Sequence, residues 1–301
     1  MVRMSSWAAT GGVAALVVVD VALVALAVQQ VRGNDIAASD DNDASDGPTP
    51  VVTEPSPDRP DRESPDPGPV LLDAAADDTV LRAGRGSCGE SESPLIEVSS
   101  DSGATFDPVD LREPPVDVLG VSASSASDLF LVGADAACLP VIYRSTDGGE
   151  NWVSAPGSGG AWHLAAVGVR RVHAPSGSVP VGCDVLALSA FSDSGARVLC
   201  TDGLLRGTAD GGRSWVGLGG LPGAVDIAYQ TPADAWGLAA TSECPAAVLQ
   251  TADGGADWEE TACLDTDGEP YAVSVADGVV LAQIGGDLLT SSDGGATFAQ
   301  P

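Results

Sequence analysis

The residues most obviously equipped for chemistry in this sequence are five aspartates that recur at one position of an eight-residue unit. The unit consists of a hydroxyl residue, a variable residue, Asp, Gly or Ser, Gly, two variable residues and a Trp or Phe. A carboxylate can bind a cation or transfer a proton, so the question is what these side chains face. The five copies begin at Ser99, Ser145, Thr208, Thr251 and Ser291.

Local geometry favours a structural role for these aspartates over a catalytic or calcium-binding one. An Asp side chain accepts hydrogen bonds from the backbone N–H groups that follow it in a turn, and the next Gly tolerates positive φ. Asp-Gly between extended segments is typical of a hairpin, and the aromatic can anchor the following strand. The aspartates are Asp101, Asp147, Asp210, Asp253 and Asp293, the fifth-position glycines Gly103, Gly149, Gly212, Gly255 and Gly295, and the aromatics Phe106, Trp152, Trp215, Trp258 and Phe298.

The repeated unit resembles the Asp-box (BNR) repeat of sialidases, sortilin-type receptors, xyloglucanases and photosystem II assembly factors. The resemblance covers residues 70–301 and implies an all-β fold, a β-propeller. It implies little about function, because these families share the turn and use it for different purposes.

The spacing of the repeats predicts the number of blades. Successive aspartates are 46, 63, 43 and 40 residues apart, which is typical of one four-stranded blade per repeat. The long interval leaves residues 156–182 over, too few for a blade of about 40 residues. We therefore expect five blades, with six as the alternative if this segment recruits neighbouring strands. We also expect the N-terminal strand at 70–76 to complete the last blade beside 296–300.

The six cysteines are predicted to form disulfides on one face of the propeller. Strands of a meander alternate in direction, so all five repeated turns share one face and all six cysteines map to the other. An even cysteine count in an exported domain indicates disulfides, and the close spacing expected of a zinc site is absent. Six cysteines allow fifteen complete pairings; the preferred one is Cys183 with Cys200, Cys244 with Cys263 and Cys88 with Cys138.

No catalytic set is recognisable in the sequence. The sialidase resemblance would imply an arginine cluster and a tyrosine activated by a glutamate, but there is no FRIP-like motif, and Tyr143, Tyr229 and Tyr271 form no such pair. A glycosidase needs two opposed carboxylates, and the 32 acidic residues of 70–301 are too many to identify one pair. Nucleophile-elbow, zinc-protease and phosphate-loop motifs are also absent. We predict no catalytic residues, no metal and no cofactor.

Three other side chains are candidates for a binding role. His163 and His173 are the chain's two histidines, and both are interpreted as packing or surface residues, with a metal or acid–base pair as the alternative. Trp162 lies outside the repeated units and is a weak candidate for ligand binding. The tryptophans of the repeated units are interpreted as packing between blades.

The first 69 residues predict an anchor and a stalk. Residues 1–6 are expected to be a short cytoplasmic N-terminus, and the apolar run 7–28 a transmembrane signal-anchor helix, since 22 residues at ~1.5 Å each span a bilayer. A cleavable signal peptide is the alternative. Residues 29–69, rich in proline and acidic residues, predict a disordered stalk. The prediction is thus a single-pass membrane protein whose C-terminal domain is extracytoplasmic.

Composition excludes some partners. The chain has 43 acidic and 13 basic residues, all of the latter Arg, for a formal net charge of −30, which argues against nucleic acid as a partner. The expected function is a non-catalytic binding or scaffold propeller whose cysteine-bearing loop face contacts an envelope protein or glycan. The alternative is a glycoside hydrolase with an unrecognised carboxylate pair.

Overall fold

A computed structural model describes residues 70–89, 93–157, 159–166, 168–266, 268–269 and 271–301. The helix predicted over 7–28 and the stalk predicted over 29–69 lie outside the described residues. Within those residues, the structure contains no helix with the length and apolar character needed to span a membrane.

The described residues form 22 β-strands in six antiparallel sheets. Blade 1 contains β1 (Val70–Ala74), β2 (Val80–Gly84), β3 (Ile96–Ser99) and β4 (Asp107–Pro108), and blade 2 contains β5 (Asp117–Ala123), β6 (Leu129–Ala134), β7 (Pro140–Ser145) and β8 (Val153–Pro156). Blade 3 contains β9 (His163–Leu164), β10 (Arg171–Ala174) and β11 (Gly177–Pro180), and blade 4 contains β12 (Val185–Ala190), β13 (Ala196–Cys200), β14 (Leu204–Thr208) and β15 (Val216–Gly220). Blade 5 contains β16 (Ala224–Tyr229), β17 (Ala235–Ala239), β18 (Ala246–Thr251) and β19 (Glu259–Leu264), and blade 6 contains β20 (Tyr271–Ala276), β21 (Val279–Ile284) and β22 (Asp287–Ser291).

The protein is a six-bladed β-propeller, so the expectation of five blades is wrong and the alternative of six is right. Residues 156–182, which are too few for a blade of the usual length, supply the extra blade. They do so with three short strands of two, four and four residues. A sheet this small is stable as a blade because the blades on either side cover both of its faces.

The core lies between the blades. Second strands are sandwiched between neighbouring sheets, and β13 and β17 are accordingly buried at every position. Outermost strands face solvent, and β8 is exposed throughout. Six first strands, β1, β5, β9, β12, β16 and β20, contact one another in a closed ring.

The ring closes by packing and not by completion of the last blade with the N-terminal strand, which corrects that expectation. β1 pairs with β2 as the innermost strand of its own blade. Blade 6 ends instead in a single bridge between Thr290 and Ala299. Apolar side chains of blades 1 and 6 meet in one buried cluster, so the closure depends on shape complementarity.

All five repeated units form the turn after the third strand of a blade. Each turn has the same pattern of hydrogen bonds. In the first, Ser99 Oγ donates to Asp101 Oδ1 (2.7 Å) and accepts the N–H of Gly103 (2.8 Å). The N–H of Thr105 donates to the same carboxylate oxygen at 2.8 Å. Equivalent bonds occur in the other four turns. Hydrogen bonds from the Thr105 and Ser214 side chains, followed by backbone bonds, lower the pKa of Asp101 and of Asp210 to about 2.

The fifth position of the unit must be Gly for two reasons, shown by Gly212. Its φ of 81° is in the left-handed region. A Cβ there would also lie 2.7 Å from Val179 Cγ2 of the preceding blade. The aromatic residue at the end of the unit also packs toward the preceding blade: Trp215 of blade 4 joins a cluster with Val172 and Val179 of blade 3. The turns therefore hold neighbouring blades together.

Two of the three preferred disulfides are confirmed. Cys183 is bonded to Cys200 in blade 4, and Cys244 is bonded to Cys263 in blade 5. The structure gives Cys88 and Cys138 as free thiols, so that pairing stays a prediction.

The turn network predicts a stability loss for Thr208→Val. The hydroxyl of Thr208 accepts the buried N–H of Gly212 (3.0 Å) and donates to Asp210 (2.9 Å). Valine keeps the shape and leaves that N–H without an acceptor, so the free energy of unfolding should fall by about 1–3 kcal/mol. Chemical denaturation measures it, with the exposed residue Thr201 changed to Val as the control. Equal stability of the two variants would contradict the structural role of the turns.

Candidate functional site

A cavity of about 620 Å³ lies at the centre of the ring, lined by the six first strands. Around its mouth are Ser122 and Ser124 at the end of β5, and Ser192 and Asp193 in the loop after β12. The first strands of these blades end on the face that carries the repeated turns. The cavity thus opens on the face opposite to the one predicted to be the contact surface.

Blade 3 is built in the reverse direction to the other blades. The carbonyl of Val169, just before β10, accepts the N–H of Val185 at the start of β12. β10 therefore begins on the cysteine-bearing face, and β9, antiparallel to it, starts near the turn face. As a result the chain before β9 brings Trp162 to the mouth of the cavity.

The cavity extends sideways between blades 2 and 3 because β9 has only two residues. Phe130 and Ile142 of blade 2 line this part of the cavity together with Gly159 of the connecting segment. The approach is close: a Cβ on Gly159 would lie 2.4 Å from Ile142 Cδ1, and its φ is 60°. The short blade thus provides an apolar recess beside the polar mouth.

Trp162 presents a partly exposed indole ring at the mouth of the cavity. Its indole Nε1 donates to the carbonyl of Ser192 at 3.0 Å. Its ring packs edge-on against Trp215 of blade 4, with centroids 6.2 Å apart and planes at 81°. These two contacts fix the ring while leaving it partly exposed, which is the arrangement of an aromatic that presents a rigid face to a ligand.

Asp128 and Arg144 form a bidentate ion pair at the same mouth. Arg144 Nε and Nη2 each donate to a different oxygen of Asp128, both at 3.0 Å. The fork geometry fixes both side chains more firmly than a single contact would. Arg144 is the only arginine among the described cavity-lining residues, and its charge is largely neutralised by Asp128.

Two aspartates deeper in the cavity connect neighbouring first strands. Asp73 of β1 accepts the N–H of Ala123 (3.0 Å) and the hydroxyl of Ser274 (3.2 Å), and so joins β5 and β20. Asp226 of β16 accepts the N–H of Val273 of β20 at 2.8 Å and that of Ile227 at 2.9 Å. Both oxygens of each carboxylate are therefore occupied by donors of the protein.

These two carboxyl groups have raised pKa values. Burial raises the pKa of Asp73 to about 6 and that of Asp226 to about 7, although their backbone hydrogen bonds act in the opposite direction. Both side chains retain some exposed surface, but that surface faces the enclosed cavity and not bulk water. Desolvation therefore outweighs the hydrogen bonds.

The two histidines form a stacked pair at the wall of the cavity, which His163 lines. Their ring centroids are 4.4 Å apart and the planes differ by 10°. His163 Nδ1 lies 2.7 Å from the carbonyl of Leu164, to which it donates, and its Nε2 is buried with no partner in the described residues. Burial lowers the pKa of His163 to about 4 and also lowers that of His173, so both rings are neutral at pH 7.

The described residues do not contain the reactive set that the sialidase resemblance would imply. All three tyrosine hydroxyls donate to backbone carbonyls: Tyr143 to Glu113, Tyr229 to Gly254 and Tyr271 to Pro245. No tyrosine is therefore positioned against an activating glutamate. No group of three His, Cys, Asp or Glu side chains within the described ranges has a geometry that could hold a metal ion.

Trp162, the binding residue predicted from the sequence, lines the cavity, but four charged residues that also line it were not predicted. Asp128 and Arg144 are 16 residues apart in one hairpin, where Asp128 precedes β6 and Arg144 lies in β7, and the sequence patterns did not give the strand register that pairs them. Asp73 and Asp226 did carry a signal, because each is the one charged residue in an otherwise apolar strand, VLLDA and AVDIAY. A charge at such a position indicates a partner or a solvent-accessible cavity.

Comparison with known proteins gives structural likeness only. No family model and no curated protein matches the chain. A structure of YCF48 from Cyanidioschyzon merolae is 14% identical, with 73% of this chain and 80% of that one covered and a TM-score of 0.42. A fucose-binding Aleuria aurantia lectin is 10% identical, with 77% and 94% covered and a TM-score of 0.49. A GH74 xyloglucanase from Xanthomonas campestris is 19% identical with a TM-score of 0.32, and the match covers 76% of this chain and 38% of the enzyme.

The raised pKa of Asp226 predicts an unusual pH dependence of stability. The folded state binds the proton more tightly than the unfolded chain, whose Asp pKa is about 3.9. The free energy of unfolding should therefore fall as pH rises from about 4 to about 7. Asp226→Asn removes the titrating proton and should therefore make this slope less steep, by at most ~1.4 kcal/mol per pH unit.

Denaturation from pH 4 to pH 8 measures the slope. Asp193→Asn, at an exposed carboxylate of the same cavity mouth, is the matched control and should keep the wild-type slope. A slope in Asp226→Asn as steep as that of the wild type would rule out this carboxyl as its source.

Proposed function

We propose that this protein is a non-catalytic binding propeller that holds a protein or glycan partner at the mouth of its central cavity. One observation carries the proposal: the cavity combines a fixed, partly exposed indole with polar side chains on a rigid ring of strands. Sites of this kind bind ligands by shape and a few oriented hydrogen bonds.

The chemistry of the mouth suits a ligand with both apolar and hydroxyl or amide surface. Trp162 offers a ring face, while Ser122, Ser124 and Ser192 offer hydroxyls that can donate or accept. Phe130 and Ile142 provide an apolar recess beside them. Both a sugar and a peptide combine these properties, so the geometry supports either class of partner.

A glycoside hydrolase remains the second candidate because Asp73 and Asp226 have raised pKa values in one cavity. Glycosidases need one carboxyl that is protonated near neutral pH. However, each of the four carboxylate oxygens already accepts a hydrogen bond from the protein. Their positions serve the joining of strands, which favours the binding function.

The location that we propose is the outer side of a cell membrane, with residues 7–28 as the single-pass anchor. Two observations support it. The disulfides Cys183–Cys200 and Cys244–Cys263 are typical of proteins in an oxidising compartment. The apolar run 7–28 is long enough to span a bilayer.

Binding at the cavity mouth predicts that Trp162→Ala weakens ligand retention by about 10-fold or more, the loss expected for a central aromatic anchor. The full-length chain in detergent would be screened against a glycan array and used to capture proteins from membrane extracts. Affinity for a retained ligand would then be measured by calorimetry for the wild type and the variant.

The matched control is Leu139→Ala, which changes an apolar residue on the cysteine-bearing face that is 60% exposed. It should bind as the wild type does. If Leu139→Ala weakens binding and Trp162→Ala does not, the contact surface lies on the opposite face. Turnover of a retained glycan, abolished by Asp226→Asn, would establish the hydrolase instead.

A further inference from the structure

The six cysteines are not used alike in this propeller. The bond between Cys183 and Cys200 closes 17 residues within blade 4, and the bond between Cys244 and Cys263 closes 19 residues within blade 5. Cys88 and Cys138 instead belong to different blades. Cys88 follows β2 of blade 1, and Cys138 lies between β6 and β7 of blade 2.

The fold nevertheless brings these two free cysteines together. Both border Leu119 of blade 2, Cys88 in an apolar cluster and Cys138 in the lining of a small pocket, and both side chains are half-buried. Cys88 packs on a cluster of blade 2, against Leu119, Val132 and Ala134. The thiol of a residue from blade 1 is thus embedded in the surface of its neighbour.

The chain leading to Cys88 is fixed on blade 2 by a second set of contacts. Arg85 donates to both oxygens of the buried Asp117, at 2.9 and 3.1 Å. The N–H of Gly86 donates to the same carboxylate at 3.1 Å. A Cβ on Gly86 would lie 2.0 Å from the carbonyl oxygen of Val116, so the two backbones approach closely. Cys88 follows this clamp by two residues.

The turn that carries Cys138 is equally well defined. Asp135 accepts the N–H groups of Ala137 and Leu139 with one carboxylate oxygen, both at 2.9 Å. Its carbonyl accepts the N–H of Cys138 at 2.8 Å. Cys138 itself has a φ of 61°, a conformation that a residue with a Cβ adopts only when its surroundings impose it. The turn holds the thiol in position without help from Cys88.

We propose that Cys88 and Cys138 form a disulfide that links blade 1 to blade 2. Each thiol loses its proton and one electron, the S–S bond forms, and a small-molecule or protein disulfide oxidant takes up both electrons and is reduced to two thiols. Both backbones are already held in place by contacts that do not involve sulfur, so little ordering is needed for closure.

This disulfide differs in effect from the two within blades. It closes a loop from residue 88 to residue 138, which is longer than the 17 and 19 residues of the others, and longer loops restrict the unfolded chain more. It also ties together two blades that otherwise associate through packing, the Arg85–Asp117 ion pair and hydrogen bonds such as the one from the N–H of Ala123 to Asp73. Blade 1, which packs against blade 6 where the ring closes, would then be covalently linked to blade 2 on its other side.

The test is a thiol count and a peptide map of the full-length chain purified without reductant. After unfolding in the presence of an alkylating reagent, the expected result is no alkylated cysteine. Protease digestion without reductant should give one fragment that joins the peptides of Cys88 and Cys138, lighter by two hydrogen atoms than their sum. The double variant Cys88→Ser/Cys138→Ser should unfold roughly 5 °C below the wild type. With reductant present, the two unfolding temperatures should lie closer together, because the wild type then loses the same disulfide.

Three results would overturn the proposal. The first is alkylation of both thiols in the oxidised protein. The second is a map in which either cysteine joins one of the other four. The third is protection of both thiols by stoichiometric zinc, found by elemental analysis and reversed by a chelator, because His163, His173 and Cys138 line one small pocket of about 140 Å³. The peptide map does not need the variant to fold, so an unfolded variant leaves the outcome decidable.

Discussion

The structure depends on the way six first strands meet around a centre without forming a shared hydrogen-bond ladder. Each strand pairs on one side only, with the second strand of its own blade. Backbone N–H groups on the other side need acceptors, because a buried unpaired N–H is destabilising. Side chains of neighbouring strands provide them: Asp73 for Ala123, Asp226 for Val273, and Ser189 for Tyr229 at 2.8 Å. Polar side chains at these positions are therefore required by the ring itself.

The same requirement explains why the cavity is polar without being reactive. The carboxylates that satisfy the strand edges necessarily point toward the centre, where they line the space left between the blades. A carboxylate that accepts hydrogen bonds through both oxygens has little freedom to transfer a proton to a ligand. The residues free for binding are those of the mouth, where the strands have ended and the loops have begun. Scaffold and candidate site thus occupy different depths of one cavity.

Much of this fold could be predicted from the sequence, because its strongest signals are local. The repeated turns fix five hairpins, and the apolar runs between them give the strand order within each of those blades. Blade 3 could not be predicted in the same way, since 156–182 has no repeated turn and its strands have two to four residues. Such strands are stable only when neighbouring blades cover them, which is a tertiary effect. Contacts inside the cavity are equally non-local: Asp73 of blade 1 accepts the N–H of Ala123 in blade 2 and the hydroxyl of Ser274 in blade 6.

The two classes of aspartate show how the same residue type responds to two environments. In the repeated turns, Asp101 and Asp210 are exposed and receive several hydrogen bonds, which lower their pKa to about 2. Their contribution to stability is lost as pH falls from about 4 toward 2. In the cavity, desolvation dominates for Asp73 and Asp226, and stability is lost as pH rises above about 4. The two classes of carboxylate therefore give opposite pH dependences, because of where each carboxylate lies.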